Sequence, residues 1–283
     1  MDLQTLLVPM LTVGGVGLVF GSLIALAHRK LKVWEDPRIE AVAELLPGSN
    51  CGACGFAGCH SFAEGLIDGE TQPASCTQLG PEGVDDVAGL LGVDAGTAVR
   101  RVARLLCAGG CDVTVRSAEY RGLPTCGAAA AVAGGGKGCT WGCLGLGDCE
   151  VSCDYDAIFM NEHEIPVVIP EKCVACNDCV EACPKDLFTL MPVDWKLLVQ
   201  CKSALEGDEI ERLCKVACTA CGRCAQDAAP GLIAMRDGLA VVDYGQNGLA
   251  GPEAIARCPT GAIVWLEGAQ FAGSRRAERS VSA

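Results

Sequence analysis

Hydrophobic and polar positions divide the chain into stretches of different character. From Leu6 to Ala27 run 22 residues without a charge, ended by His28, Arg29, Lys30 and Lys32. As a helix rising about 1.5 Å per residue, this run spans roughly 33 Å, enough for the hydrocarbon core of a bilayer. A cleaved signal peptide carries a basic n-region and a small-residue cleavage site. This chain instead begins Met1-Asp2 and passes from the apolar run straight into bases. The expectation is a single-span anchor over residues 1–32, with the rest of the chain on the cytoplasmic side by the positive-inside rule. Gly17 and Gly21 form a G-x-x-x-G that permits close packing on another membrane helix. Glycines merely tolerated on a lipid-facing helix are the equal alternative. Next, Ile39, Val42, Leu45 and Leu46, then Phe62, Ala63 and Leu66, have helical spacing. They predict a small domain over 33–82 made of a helix, a loop and a second helix starting near His60. Val87, Leu90 and Leu91, then Val99, Val102 and Leu106, predict two short amphipathic helices in a linker region over 83–138. An Ala/Gly-rich connector over 127–138 ends that region, and 268–283 reads as a mildly basic disordered tail.

The loop and everything after residue 106 are organised by cysteine, not by hydrophobic period. Cys126, Cys139, Cys143, Cys149 and Cys183 recur 75 residues later as Cys201, Cys214, Cys218, Cys224 and Cys258, and Pro184 recurs as Pro259. A fixed-period repeat marks a duplicated unit, here predicted as modules over 139–195 and 196–267. Cys153, Cys173, Cys176 and Cys179 fail to recur: their counterparts are Ala228, Gly248, Gly251 and Ala254.

The run Cys173, Cys176, Cys179, Cys183, Pro184 is C-x2-C-x2-C-x3-C-P, the bacterial ferredoxin run, whose fourth cysteine serves the other cluster of a pair. The first three then need a remote partner, and Cys153 supplies it. Cys183 completes a second set with Cys139, Cys143 and Cys149. The four cysteines missing from the second copy are therefore the ligands of one crossed-over cluster, and the other site survives there as Cys218, Cys221, Cys224 and Cys258. Cys221 has Leu146 as its counterpart, so the first copy lacks a middle cysteine and Cys139 is the expected substitute. A set with Cys214 as ligand and Cys221 spare stays open. Cys51, Cys54, Cys59 and Cys76, spaced C-x2-C-x4-C-x16-C among glycines, form a further set. His60 beside them reads as a solvated or capping residue, since four thiolates suffice. Four 4Fe–4S clusters on 16 of the 21 cysteines, about 16 irons, are expected. Cys107, Cys111, Cys126, Cys201 and Cys214 are left as small apolar residues, so Cys201→Ser should not change the iron content.

Composition narrows the class. Twenty-one cysteines, with three Tyr, six Phe and four Trp in 283 residues, make a poor conventional core and suit small modules stapled by metal. A disulfide framework fits badly, because the number is odd and close C-x2-C runs suit metal better. Zinc modules show separated C-x2-C pairs or Cys/His mixtures, not this run. No Gly-rich dinucleotide fingerprint, P-loop or nucleophile elbow is present, so a conductor of electrons is expected, with no catalytic residues. A net charge of −13 disfavours nucleic acid and anionic lipid surfaces. Arg100, Arg101 and Arg104, or Arg212, Lys215 and Arg223, are candidate basic patches for an acidic partner.

The segments GSNCGACGFAGC and CTWGCLGLGDCEVSCDYDAI, with EKCVACNDCVEACPKDL, resemble the B subunit of the Rnf electron-transport complex, a membrane-bound, ion-translocating ferredoxin:NAD oxidoreductase. The resemblance covers nearly the whole chain outside the tail. It implies exchange of electrons with soluble ferredoxin and relay to other membrane and flavoprotein subunits. The departures at Ala228, Gly248, Gly251 and Ala254 put a relay through the second module in doubt. The expected fold is α+β: one transmembrane helix, a small helical iron–sulfur domain and two tandem ferredoxin-like modules. The Cys173 and Cys183 sites are the expected entry for electrons, with the Cys51–Cys76 site passing them on. Rival readings are a cluster-bearing sensor or structural protein, and a polyferredoxin subunit of another membrane dehydrogenase or hydrogenase or of a corrinoid-protein reductase.

Overall fold

The amino-terminal apolar run forms one helix, α1 (Leu3–Lys30), ending in His28, Arg29 and Lys30, which complement the negative end of its dipole. The structure is a computed structural model that describes residues 3–30, 36–97 and 99–276. From Met10 to Lys30 the mean hydropathy reaches 2.1 and nothing is buried. The helix is apolar on every side, and it is long enough to cross a membrane.

α2 (Pro37–Leu45) starts where Asp36 accepts a 2.9 Å hydrogen bond from the Arg38 amide, with Pro37 at the first helical position. α3 (Cys59–Ile67) and α4 (Pro81–Leu91) complete a small helical unit. Val42, Phe62, Ala63, Leu66 and Val87 form its core, and Phe56 meets Phe62 edge to face at 5.6 Å.

The second amphipathic helix expected around Val99–Leu106 is instead a strand, β1 (Arg101–Leu105). Four consecutive residues, Val102 to Leu105, are buried. A helix at the edge of this unit would turn some of them to solvent, whereas a strand pressed between sheet partner and neighbouring chain buries both faces. The Ala/Gly connector also has structure: α5 (Cys126–Ala131) is capped by the Thr125 hydroxyl, which accepts from the Ala128 amide. Alanine's helix propensity wins until Gly134, Gly135 and Gly136 turn the chain with φ of 67°, 71° and 72°. A Cβ on Gly136 would collide with the Ala118 carbonyl.

α6 (Asp148–Val151), β2 (Ile158–Met160), β3 (Pro166–Val168), α7 (Asp178–Glu181) and β4 (Phe188–Pro192) come next. β2 pairs with β3, and β4 pairs antiparallel with β1, from Arg101 opposite Pro192 to Leu105 opposite Phe188. Then come β5 (Leu197–Val199), α8 (Gly207–Leu213), α9 (Arg223–Asp227), β6 (Ile233–Arg236), β7 (Leu239–Val242) and β8 (Ile263–Trp265). β6 pairs with β7 and β5 with β8. The 75-residue offset maps α6 onto α9, β2 onto β6 and β4 onto β8, and α7 onto a 3-10 turn, Pro252–Ile255. Over 148–192 and 223–267 the offset that relates the cysteines also relates the elements.

The expected disordered tail is packed as far as Arg276. The Gln270 side chain accepts from the Leu105 amide (2.9 Å) and donates to the Leu105 carbonyl (2.6 Å) and to the Gln200 side chain (2.9 Å). Phe271 packs on the core of the first module. The remainder of that expectation, 277–283, and residues 1–2 and 31–32 of the expected anchor lie outside the described residues.

Candidate iron–sulfur sites

Each cysteine group is built by tight loops that aim backbone N–H groups at sulfur. In the amino-terminal unit, Asn50 has φ 47° and its side chain accepts from the Cys59 amide at 2.8 Å, closing the loop at the start of α3. Gly52 and Gly55, at φ 68° and 89°, turn the chain between the cysteines. Burial pushes the Cys76 thiol up, Cys54 and Cys51 add to the rise, and the amides of Gln78 and Leu79 oppose it. His60 is exposed and faces Glu64 at 3.7 Å, as expected of a solvated residue.

Cys153, Cys173, Cys176 and Cys179 line one cavity of about 310 Å³. Ala175 (φ 59°) and Asn177 (φ 82°) bend the loop that presents them. Burial pushes Cys176 and Cys179 up to about 12, so without a bound cation these thiols are protonated at neutral pH. The Ala103 amide donates to the Cys173 sulfur at 3.5 Å. Arg104, 1% exposed, donates from Nη1 to the Gly268 carbonyl at 2.9 Å, while its buried Nε has no hydrogen-bond partner. Cys173 opposes the fall in its pKa that burial causes. A guanidinium held there suits an anionic group on Cys173, and the donor set fits an iron–sulfur cluster.

The neighbouring cavity, about 370 Å³, is lined by Cys126, Cys143, Cys149 and Cys183. Cys139 is absent from it, so the expected grouping of Cys139 with Cys143, Cys149 and Cys183 is not what the fold brings together. The reason is local: Asp148, opening α6, accepts from the amides of Cys126 (2.8 Å) and Gly127 (3.1 Å) and pins the start of α5 over the gap that Leu146 leaves. Burial pushes Cys143 up to about 12 and Cys149 higher still. In the second module, Cys218, Cys221, Cys224 and Cys258 share a cavity of about 340 Å³. Burial alone would raise Cys258, but hydrogen bonds with the Ile263, Thr260 and Ala262 amides, and a contact with the Thr260 side chain, outweigh it and hold the thiol below its usual range. Cys221 is exposed.

Of the five cysteines expected to be spare, Cys111 is exposed, Cys126 has the place just given, and Cys107, Cys201 and Cys214 line a further cavity with Cys139. Sequence spacing could not find these, because Cys107 is remote and its partners come from two modules. The recurrence of Cys126 as Cys201 and Cys139 as Cys214 was the available signal.

The groups touch in series. The Thr77 hydroxyl donates to the Val174 carbonyl at 2.9 Å, and Tyr155 hydrogen-bonds Ser49 and Cys51 while lying close to Cys176. Cys149 and Cys179 share one core. The Cys143 amide donates to the Cys107 sulfur at 3.4 Å, and the Cys218 amide donates to the Cys201 sulfur.

A chain of this architecture is similar to known proteins along most of its length. The Fe-S cluster family model (FeS) matches residues 46–78 and the 4Fe-4S dicluster domain model (Fer4_7) matches 138–187. The chain is 38% identical to the B subunit of the Na(+)-translocating ferredoxin:NAD(+) oxidoreductase complex of Acetobacterium woodii, over 92% of this chain and 78% of that protein. It belongs to the Rnf B-subunit family. The B subunit of the proton-translocating ferredoxin:NAD(+) oxidoreductase complex of Clostridium ljungdahlii is 35% identical over 88% of both chains. The B subunit of the ion-translocating oxidoreductase complex of Methanosarcina acetivorans is 33% identical over 88% of this chain and 94% of its own. This Rnf B-type chain is thus an iron–sulfur electron-transfer subunit of an oxidoreductase complex, with one apolar helix able to attach it to the membrane. The rival readings as a sensor or as a polyferredoxin of another complex find no support in these relatives.

Proposed function

We propose that this chain is a membrane-anchored relay between soluble ferredoxin and the other membrane and flavoprotein subunits of an Rnf-type complex. The observation that carries the reading is the serial contact of cysteine groups from the small helical unit to the far end of the chain. Cys51/Cys54/Cys59/Cys76, Cys153/Cys173/Cys176/Cys179, Cys126/Cys143/Cys149/Cys183 and Cys218/Cys221/Cys224/Cys258 each hold a 4Fe–4S cluster, which supplies one-electron transfer without bond chemistry. The units over 139–195, with β1 added, and 196–267 are tandem ferredoxin-like modules, the second lacking one site. The bases at the end of α1 keep the modules on the cytoplasmic side, where thiols stay reduced.

The serial order also moves the entry point. The Cys173 and Cys183 sites lie inside the series, whereas the Cys218–Cys258 site ends it, with Cys221, Arg212, Lys215 and Arg223 exposed. Arg104 is buried, so the Arg100/Arg101/Arg104 trio does not make a docking patch. Ferredoxin, an acidic protein, docks at the second module. The test is stopped-flow reduction of the full chain by ferredoxin at low ionic strength. Arg223→Glu with Lys215→Glu should slow it severalfold, and added salt should narrow the difference. Unchanged rates with both charges reversed would place the entry elsewhere, and a chain that ferredoxin cannot reduce at all would end the relay reading.

A further inference from the structure

We infer that Cys107, Cys139, Cys201 and Cys214 hold a fifth 4Fe–4S cluster, seated between the two modules. The inference deepens the relay reading and rests on it, since it treats this cavity as one more of the same kind. Four cysteines line it, and it measures about 320 Å³, against about 310, 370 and 340 Å³ for the three cavities in the modules. Its charged lining is Lys137 and Lys202, with no acidic residue, the balance an anionic cluster requires.

The sulfurs are dressed as cluster ligands are. Cys107, 8% exposed, accepts from the amides of Gly109 and Cys143, each at 3.4 Å. Backbone amides of Trp141 and Gly142 face Cys139, those of Cys218 and Ser203 face Cys201, and that of Val216 faces Cys214. A buried cysteine acting as a small hydrophobe does not need two amide donors on its sulfur. Burial pushes Cys201 up to about 11.

The duplication explains the set. In the second module Cys221 occupies the place of Leu146, so Cys201 is not needed there as Cys126 is in the first. Cys139 and its repeat counterpart Cys214 are brought face to face by residues 113–116. The Val115 amide donates to Leu213 and its carbonyl accepts from Gly138, both at 2.9 Å, and Thr114 bridges Cys214. Cys107 closes the group from the end of β1. The site joins what would otherwise be a break: its sulfurs meet the Cys143 amide on one side and the Cys218 amide on the other.

The test is iron, acid-labile sulfide and zinc on the full chain, purified anaerobically in detergent, with the reduced protein examined by EPR and Mössbauer spectroscopy. Five clusters predict about 20 irons per chain. Cys107→Ser and Cys214→Ser should each fall to about 16 and lose one spectral component, while Cys111→Ser keeps about 20. About 16 irons in the unsubstituted chain would overturn the inference and leave the relay reading intact, and so would one zinc in this cavity. Iron near zero would overturn both. The count on the unsubstituted chain decides the matter even where a variant fails to fold.

Discussion

Arg104 offers the sharpest test of how the protein sets the properties of one cluster. Its guanidinium is buried beside Cys173, one residue from the amide that donates to that sulfur at 3.5 Å. A positive charge stabilises the reduced form of a cluster more than the oxidised form, because reduction adds negative charge. At a separation on the order of 8 Å and an effective dielectric of about 20, one charge contributes about 2 kcal/mol. At about 59 mV per tenfold for one electron, that is roughly 90 mV. Arg104→Met should therefore lower the midpoint potential of the Cys153/Cys173/Cys176/Cys179 cluster by about 50–100 mV. Arg104→Lys should recover most of it. Redox titration followed by EPR reads the shift, with the component identified by its loss in Cys173→Ser. Stability should change little: the Gly268 carbonyl loses a donor worth about 1 kcal/mol, while the cost of burying an unpartnered Nε disappears. A midpoint that stays put or rises in a folded Arg104→Met protein would refute the electrostatic argument.

Other expectations rest on single contacts. Cys126→Ser should remove about four irons; an unchanged iron content would return the place to Cys139. Tyr244 stacks on Trp195 at 4.8 Å, and its hydroxyl donates to the Leu197 carbonyl at 3.1 Å. Tyr244→Phe should lower stability by about 1 kcal/mol in a urea titration. Burial raises its pKa to about 12, so the folded state favours the neutral phenol. This contribution is complete below the unfolded value of about 10 and is lost as pH rises from about 10 to 12; the Phe variant should lack that loss. Ending the chain after Glu267 removes Gln270 and Phe271 from β1 and the first core; thermal melting should fall by several degrees, and an unchanged curve would make that packing irrelevant to stability.

What the sequence made legible divides along the range of the interactions. α1 arises from an unbroken apolar run, and α2, α3 and α4 from local period, with a side-chain cap on α2, because these signals are written within a few turns. The Cys153/Cys173/Cys176/Cys179 and Cys218/Cys221/Cys224/Cys258 groups were readable because most of each comes from one loop. β1 was not: a strand of five residues carries too short a pattern to separate from a helix, and its burial comes from β4, about ninety residues away. Cys139 was misplaced for the same reason. Spacing ranked it nearest to Cys143, but Asp148 holds Cys126 there and residues 113–116 draw Cys139 toward the second module.

The positions where cysteines fail to recur show how the second copy packs without them. Its four former ligand positions are Ala228, Gly248, Gly251 and Ala254. Ala254 is 2% exposed, and Ala228, Tyr244, Ala250 and Ile255 pack on the same core. Ile233 and Val242 are buried there, whereas Val241 is 36% exposed. The counterpart of α7 is a 3-10 turn, Pro252–Ile255, with Ala254 buried in it. Tyr244, with no recurring counterpart among the cysteines, adds the large apolar surface that thiolates and iron supplied in the first copy. In the proposed relay the missing site has a consequence. In the first module two sites share one core, so electrons have two neighbours within it. The second module has one site, and its remaining neighbour must lie across the boundary between the modules. That is where Cys201, freed by Cys221, faces Cys107, Cys139 and Cys214.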